Sequence, residues 1–539
     1  MQTQTRREFF RTAGLATAAL SRISLIPGVV TASQRRRKRP NILLIMCDQL
    51  NATALSCYGG PVDTPNIDRI AKEGVRFTQA TCTTPYCSPT RASIVTGMYP
   101  HAHGIVLNVG PKRQQGIGAE DTTTEKLLSQ AGYITHHYGK WHLEGDKLPY
   151  YPDMFRSGIE YKEKMASVFS RVRRQDKTTW MDWYAWALPV DISPALQEQV
   201  DALGDRWKNK RFAEFITKMG RLKLPLEQCF DVQAADLTCK RLKILKSSED
   251  PFMVTCSFVW PHDPNVVPSP YYEAFDPKKI KIPENMHIRE ERFEKDWSRE
   301  IIRGLGEPGL REFLRIYYGT VKLIDDQVGK VLETLDETGK TDDIVLVFTA
   351  DHGDMMGGHG MVWKSTSAFY EEIVRVPLLI RYPRRFRAQV SRLAVDSTDF
   401  MPTLLELAGH PVPKQAQGQS LVLYLTGEQD TKQVRKYSFL ERLRGNSEGY
   451  RKVLPGTKGG FMIRGKGWKL IRYHESQRYL YNLNQDPGET KNLVDDPKCR
   501  SRHQELAAEM EGWFKRSAWP GWSKPASLCF AGYWFGSLA

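Results

Sequence analysis

The sequence predicts an α/β protein: a large, mostly parallel sheet flanked by helices, followed by a smaller C-terminal α+β domain. Three observations carry this. Asn41–Cys47 (NILLIMC), Phe252–Val259 (FMVTCSFV) and Asp343–Ala350 (DIVLVFTA) are continuous apolar runs of strand length, the pattern of strands buried on both faces. Segments of helical character stand between them, as parallel crossovers require. After about Gly427 the apolar segments become short and β-like and end in one helix.

Taken in order, the chain of 539 residues opens on a basic leader. Thr5-Arg6-Arg7-Glu8-Phe9-Phe10-Arg11 precedes a weakly apolar stretch that reaches Val30-Thr31-Ala32, where the last and third-last residues suit signal peptidase. This resembles a twin-arginine export signal; a disordered basic tail is the alternative. The expectation is a signal peptide over 1–32 and a basic linker over 33–39. The twin-arginine export machinery is then a partner, and the location is periplasmic or secreted. Arg22 and Pro27 interrupt the stretch, and about 18–20 uninterrupted apolar residues are needed to span a bilayer, so no stable membrane span is expected.

The charge balance follows from this leader. Lys+Arg number 77 and Asp+Glu 62, a net +15. Nine of the bases and one of the acids lie in the first 39 residues, so the remainder carries 68 − 61, or +7. The basic excess is therefore weak evidence for a polyanion, and no nucleic-acid partner is expected. With 41% hydrophobic and 26% charged residues, a mostly disordered chain, a collagen-like chain and a small disulfide scaffold are excluded. The nine cysteines are an odd number for an exported protein, and their spacings match no zinc pattern.

From Pro40 the elements follow in turn. The first buried strand ends at Asp48. Thr64–Gly74 reads as a short helix entered through Pro65, and Thr124–Ala131 as a helix leading to a strand near Tyr133–Tyr138. Residues 145–250 are irregular, then helical, with Trp180, Trp183, Trp186 and Trp207. The second buried strand follows, then a long helix over Phe313–Leu335, then the third strand ending at Asp351-His352. Val376–Ile380 begins another strand. Residues 40–427 are expected to form the larger domain. Residues 428–539 form the smaller one, with segments Tyr437–Leu440, Gly460–Arg464 and Trp468–Tyr473 and a helix at Arg502–Ala518. The chain has no internal repeats.

Asp48 and Asp351 both stand directly after buried strands, and in a parallel sheet such ends converge on one edge. Two carboxylates brought together repel unless a cation lies between them, and oxygen ligands suit a hard divalent metal. Each acid capping a following helix is the other reading, and spacing leaves both open.

Cys87-Ser88-Pro89-Thr90-Arg91 resembles the first signature of the sulfatase family, Cys-x-Pro-Ser/Ala-Arg, which directs oxidation of the cysteine to Cα-formylglycine. Gly132-Tyr133-Ile134-Thr135-His136-His137-Tyr138-Gly139-Lys140-Trp141-His142 resembles the second. The resemblance extends through Arg39–Asp48, Trp260–Pro264, Asp351–Gly360, Arg375–Pro383, Asp399–Gly409 and Leu480–Leu493. It implies an alkaline-phosphatase-like fold and hydrolysis of a sulfated carbohydrate or small sulfate ester. It also implies a formylglycine-generating enzyme as partner and a divalent metal, calcium first, with manganese or magnesium as alternatives. In that chemistry the aldehyde hydrates, one hydroxyl attacks sulfur in line and expels the alcohol, and loss of the second hydroxyl's proton then releases sulfate and restores the aldehyde.

Carried over residue by residue, the resemblance makes Cys87 the nucleophile and a metal ligand beside Asp48, Gln49, Asp351 and His352. Arg91 is expected to hold the formylglycine oxygen and offset nearby acid. Lys140 and Lys364 are expected to grip the sulfuryl oxygens, and His142 to act as base or hydrogen-bond partner of the diol. His262 and Lys364 are candidates to protonate the leaving oxygen, and Asn108 stands where one branch has an Asn near the transferred group. His101, His103, His136, His137 and His359 are expected to be structural. Gln49 replaces a common Asp and His352 a common Asn, as in the branch holding phosphonate monoester hydrolases. Thr90 replaces the usual Ser, and Tyr138 a smaller residue. Two alternatives stand beside the sulfatase reading: a phosphonate monoester or phosphodiester hydrolase on the same site, and an inactive sulfoglycan-binding relative with unmodified Cys87. Trp180–Trp186 and the C-terminal Trp513, Trp519, Trp522 and Trp534 are candidates to stack on sugars, although buried packing is the commoner role of such residues.

Overall fold

The apolar runs become neighbouring strands of one seven-stranded sheet. The computed structural model of the protein describes residues 39–109, 116–118, 120–143, 190–203, 219–290, 293, 296–364, 368–428, 435–443, 459–473 and 477–518. The expected export signal, Trp180, Trp183, Trp186, Trp207, Trp519, Trp522 and Trp534 lie outside them.

The strands are β1 (Asn41–Asp48), β2 (Val75–Phe77), β3 (Ile134–Gly139), β4 (Phe252–Pro261), β5 (Ile344–Ala350), β6 (Leu378–Arg381) and β7 (Gln389–Ser391). Their spatial order is β7-β2-β6-β5-β1-β4-β3. β5, β1, β4 and β3 are mutually parallel. β6 is antiparallel to both of its neighbours, so it alone runs against the rest. β1, β4 and β5 are buried along their whole lengths, which is why their sequences lack alternation.

Helices flank the sheet. α1 (Pro65–Glu73) carries Pro at its start and buries Ile67 and Ile70. α2 (Cys87–Thr96) is buried at every position. Thr123 caps α3 (Thr124–Gln130) by accepting from the Lys126 N–H. α4 (Phe230–Leu245) and α5 (Trp297–Thr338) pack on each other and on β4, α1 packs on α5 and β6, and α6 (Phe400–Leu407) packs on α2 and α3. α5 begins well before the expected Phe313. Its first limb bends where Gly306 takes φ 59° two residues ahead of Pro308, breakers that hide a helix from sequence reading. Among the described residues no helix is long and apolar enough to cross a membrane.

A second sheet is an antiparallel meander of β8 (Ser438–Leu443), β9 (Gly459–Gly465), β10 (Trp468–Tyr473) and β11 (Arg478–Asn482). α7 (Arg500–Arg516) lays Leu506, Ala507, Met510, Trp513 and Phe514 against Phe439, Phe461, Ile463, Leu470 and Leu480. Trp513 is buried, with its ring parallel to Phe439 at 5.1 Å and edge-on to Tyr99 at 5.1 Å. It is a packing residue rather than a sugar platform. Trp513→Ala is expected to cost about 3–5 kcal/mol, read as a fall in the denaturant midpoint; a loss under about 1 kcal/mol would mean that the aromatic cluster contributes little. The eight described cysteines are all free thiols.

Candidate active site

Four parallel strands deliver the polar residues to one edge. β1 ends in Asp48, and β5 leads into Asp351 and His352. Cys47 stands in register with Ala350, and the Asp351 N–H donates to the Cys47 carbonyl at 3.1 Å. β4 leads into His262, with Pro261 opposite Asp48. β3 leads into Lys140, whose N–H donates to the Ser257 carbonyl at 2.9 Å. Gly139, the last residue of β3, has φ 92°, and a Cβ there would fall 1.9 Å from that same carbonyl oxygen. Only glycine permits this approach. Cys87 opens α2, so helix and strands meet at its side chain.

The Cys87 Sγ lies 3.2 Å from His352 Nε2, 3.5 Å from Asp48 Oδ1 and 3.5 Å from Lys364 Nζ. Asp48, Cys87, Asp351 and His352 are buried, and each offers a donor atom within 4.8 Å of the others, a set able to hold a metal ion. The His352 ring is oriented for it. Its Nδ1–H donates to the Gly353 carbonyl at 2.8 Å, which turns Nε2 toward Asp48 and Asp351 at 3.6 and 3.8 Å.

Cations surround this acidic centre. Lys140 Nζ is paired with Asp48 Oδ2. The Arg91 guanidinium donates to Asp351 Oδ2 at 2.7 Å, to the Lys140 carbonyl at 2.8 Å and to Ser257 Oγ at 2.9 Å, and lies 3.8 Å from Asp48. Its hydrogen bonds tie α2 to the ends of β3 and β5 and to β4. Lys364 Nζ donates to Gln49 Oε1 at 3.1 Å and to His262 Nε2 at 2.6 Å, while His262 Nδ1 faces the Asp263 carbonyl at 2.7 Å.

Burial raises the Cys87 thiol, but Lys140, Lys364 and His352, with a hydrogen bond from His142, outweigh it and hold the thiol well below its usual range. Burial and Cys87 push Asp48 up, yet Lys140, His262 and Arg91 keep it below the ordinary carboxylate range. Burial lowers His352, while Asp351 and Cys87 bring it up to about 9. The cationic side chains of the centre favour negative charge at Cys87 and Asp48.

Other expected residues find places. Asn108 Oδ1 accepts the Ser88 N–H at 3.2 Å, and Ser88 Oγ donates to the His142 carbonyl at 2.7 Å, so both residues border the start of α2. The buried Tyr138 accepts from Arg241 Nε of α4 through its hydroxyl at 2.9 Å. His101 pairs with Glu441 at 2.9 Å, His103 meets Ser93 Oγ at 3.2 Å, His137 Nε2 faces the Lys140 carbonyl at 3.0 Å, and His136 is buried. His359 lies flat on Tyr370 with ring centroids 3.6 Å apart.

Two residues without an expected role stand close by. Asp231, in the first turn of α4, accepts the Val259 and Trp260 N–H groups at 2.8 and 2.7 Å just ahead of His262, and burial pushes it up to about 7. Asp354 accepts from the Gln49 amide at 2.7 Å. The acid three places after Asp351 was the available signal for Asp354; Asp231 had none beyond an acidic helix start.

The sequence model of the Sulfatase family matches residues 40–410, and that of N-sulphoglucosamine sulphohydrolase, C-terminal, matches 357–516. The chain belongs to the sulfatase family. It is a sulfuric ester hydrolase of the alkaline-phosphatase-like class. Among its relatives, the N-acetylglucosamine-6-O-sulfatase of Bacteroides thetaiotaomicron is 29% identical over 538 residues, covering 92% of this chain and 89% of the relative. Solved structures share the fold, two of them as follows. The phosphonate monoester hydrolase from Silicibacter pomeroyi has a TM-score of 0.69 at 22% identity, over 89% of this chain and 96% of that one. A protein in complex with its substrate D-glucosamine-2-N,6-O-disulfate has a TM-score of 0.63 at 23% identity, over 89% and 98%.

Proposed function

We propose that this sulfatase hydrolyses sulfate esters of carbohydrate, using a Cα-formylglycine made from Cys87 and a divalent cation held by Asp48, Gln49, Asp351, His352 and the modified residue 87. The observation that carries the reading is the meeting of Cys87 with Asp48, His352 and Lys364 within 3.5 Å. The donor set fits a cation: two carboxylates, an imidazole with Nε2 turned inward that would give up its proton to the ion, and a neutral amide oxygen at Gln49. When bound, the cation and the modified residue supply an oxygen nucleophile active at neutral pH. Calcium is the first candidate; the imidazole and the loss of one carboxylate also suit manganese or magnesium.

The chain's own groups then divide the work. Lys140 and Lys364 are fixed positive charges for the sulfuryl oxygens, Arg91 offsets Asp48 and Asp351, and Asn108 lies beside the transferred group. His142 takes the proton from the oxygen at residue 87. His262 and Lys364, hydrogen-bonded to each other, deliver a proton to the leaving oxygen. The N-acetylglucosamine-6-O-sulfatase at 29% identity supports a sulfated sugar as substrate. A formylglycine-generating enzyme and the twin-arginine machinery are the proposed partners, with a periplasmic or secreted location. The chain divides at about residue 427 into a catalytic and a smaller C-terminal part.

Gln49 and His352 favour a second reading, phosphonate monoester hydrolysis, since sulfuryl and phosphoryl groups have the same shape. Steady-state kinetics on 4-nitrophenyl sulfate and on phenyl phosphonate esters separate the two. The expected result is the higher kcat/KM on the sulfate; a much higher value on the phosphonate would reject the sulfatase reading in favour of the other. A panel of sulfated sugars, scored by position, identifies the substrate.

A further inference from the structure

Asp354 sits fully buried at the neck of the loop that brings Lys364 to the centre. Its Oδ1 accepts the Met356 N–H at 2.8 Å and the Trp363 N–H at 3.1 Å, and its Oδ2 accepts from Gln49 Nε2 at 2.7 Å. Its own carbonyl accepts from Asn51 Nδ2 at 2.8 Å. The three residues that donate to the carboxylate all have left-handed backbone: Gln49 at φ 64°, Met356 at 49° and Trp363 at 57°. Non-glycine residues adopt that region at a cost and persist there only where surrounding bonds impose it. Tyr317 completes the hold on Gln49 by donating its hydroxyl to the Gln49 carbonyl at 2.7 Å.

An amide has one accepting end and one donating end. A carboxylate only accepts, so Asp354 takes the Nε2 end of Gln49 and leaves Oε1 facing Lys364 at 3.1 Å. We infer that Asp354 is a positioning residue: one buried carboxylate sets the polarity of the Gln49 amide and clamps the loop carrying Lys364, so that both reach the reacting centre in a fixed relation. The inference rests on the reading of Gln49 and Lys364 as site residues.

A reciprocal exchange tests it. In Asp354→Asn the side-chain oxygen can still accept the two backbone N–H groups, but the new NH₂ meets Gln49 Nε2, donor against donor. Gln49→Glu sets two buried carboxylates face to face. In the double variant the new NH₂ at position 354 donates to one oxygen of the new carboxylate at position 49, whose second oxygen faces Lys364, and the summed charge of the pair is unchanged. Each single substitution is expected to lower kcat/KM on 4-nitrophenyl sulfate by about 10–100-fold. The double variant is expected to return to within about tenfold of the parent, a coupling of the size that contacting residues show. Calorimetric titration of the metal-stripped proteins with Ca²⁺, and separately with Mn²⁺, is expected to show the same loss and recovery of affinity without recourse to turnover.

Losses that multiply in the double variant, in both readouts, would overturn the inference. If Asp354→Asn does not fold, the double variant is expected to fold; its failure while Gln49→Glu folds would equally overturn it. A parent inactive on every sulfate ester would reject the functional reading instead, and the metal affinities would then decide the role of Asp354.

Discussion

Cys87→Ala is expected to abolish turnover, by at least about 10⁴-fold in kcat, while leaving the unfolding midpoint nearly unchanged. The size of the effect comes from geometry. Cys87 touches Asp48, His352 and Lys364 together, and among the described residues nothing else at this edge offers a nucleophile in that position. The fold should tolerate the change because alanine keeps the helix start and removes one sulfur atom from a polar centre rather than from the apolar core. Steady-state kinetics and a melting curve on the same preparation check both halves. Activity within about tenfold of the parent would place the nucleophile elsewhere.

Lys140→Ala and Lys364→Ala carry the next largest effects, each expected to lower kcat/KM by about 10²-fold or more. Lys140 is buried and paired with Asp48. Burial lowers the affinity of Lys364 for its proton, but Cys87, Asp263 and Asp48 outweigh it and hold the group above the usual lysine range, so it stays cationic. Fixed ammonium groups in a buried centre stabilise charge that develops on the transferring group more than water would. Arginine is not expected to replace either lysine, because its planar fork is larger than the space a compact ammonium fills. Kinetics on metal-loaded protein measure the loss, and little change for either variant would remove that lysine from the site.

Much of this architecture was legible before the structure. β1, β4 and β5 read as strands because burial on both faces leaves an unbroken apolar run, and Asp48 and Asp351 met because both runs end at the same sheet edge. Cys87, Arg91, Lys140, His142 and His262 were marked by two signatures and a short motif. What stayed hidden has physical reasons. An apolar run has no polarity along the chain, so the reversal of β6 could not be read from LLIR. Gly306 and Pro308 concealed the first limb of α5. The positive φ of Gln49 leaves no trace in composition, since it is imposed by Tyr317, Asp354 and Asp351 from far along the chain. For Trp513 stacking on sugars and buried packing both stayed open, because its partners Phe439 and Tyr99 are remote in sequence.

Formylglycine at residue 87 is tested by the mass of the peptide that spans Cys87, taken from protein made together with a formylglycine-generating enzyme and purified without reductant. The mass of the aldehyde, or of its hydrate, is expected at residue 87. The full mass of the unmodified thiol in protein that nonetheless hydrolyses sulfate esters would contradict it, because the nucleophile would then be something other than the oxidised residue at the start of α2.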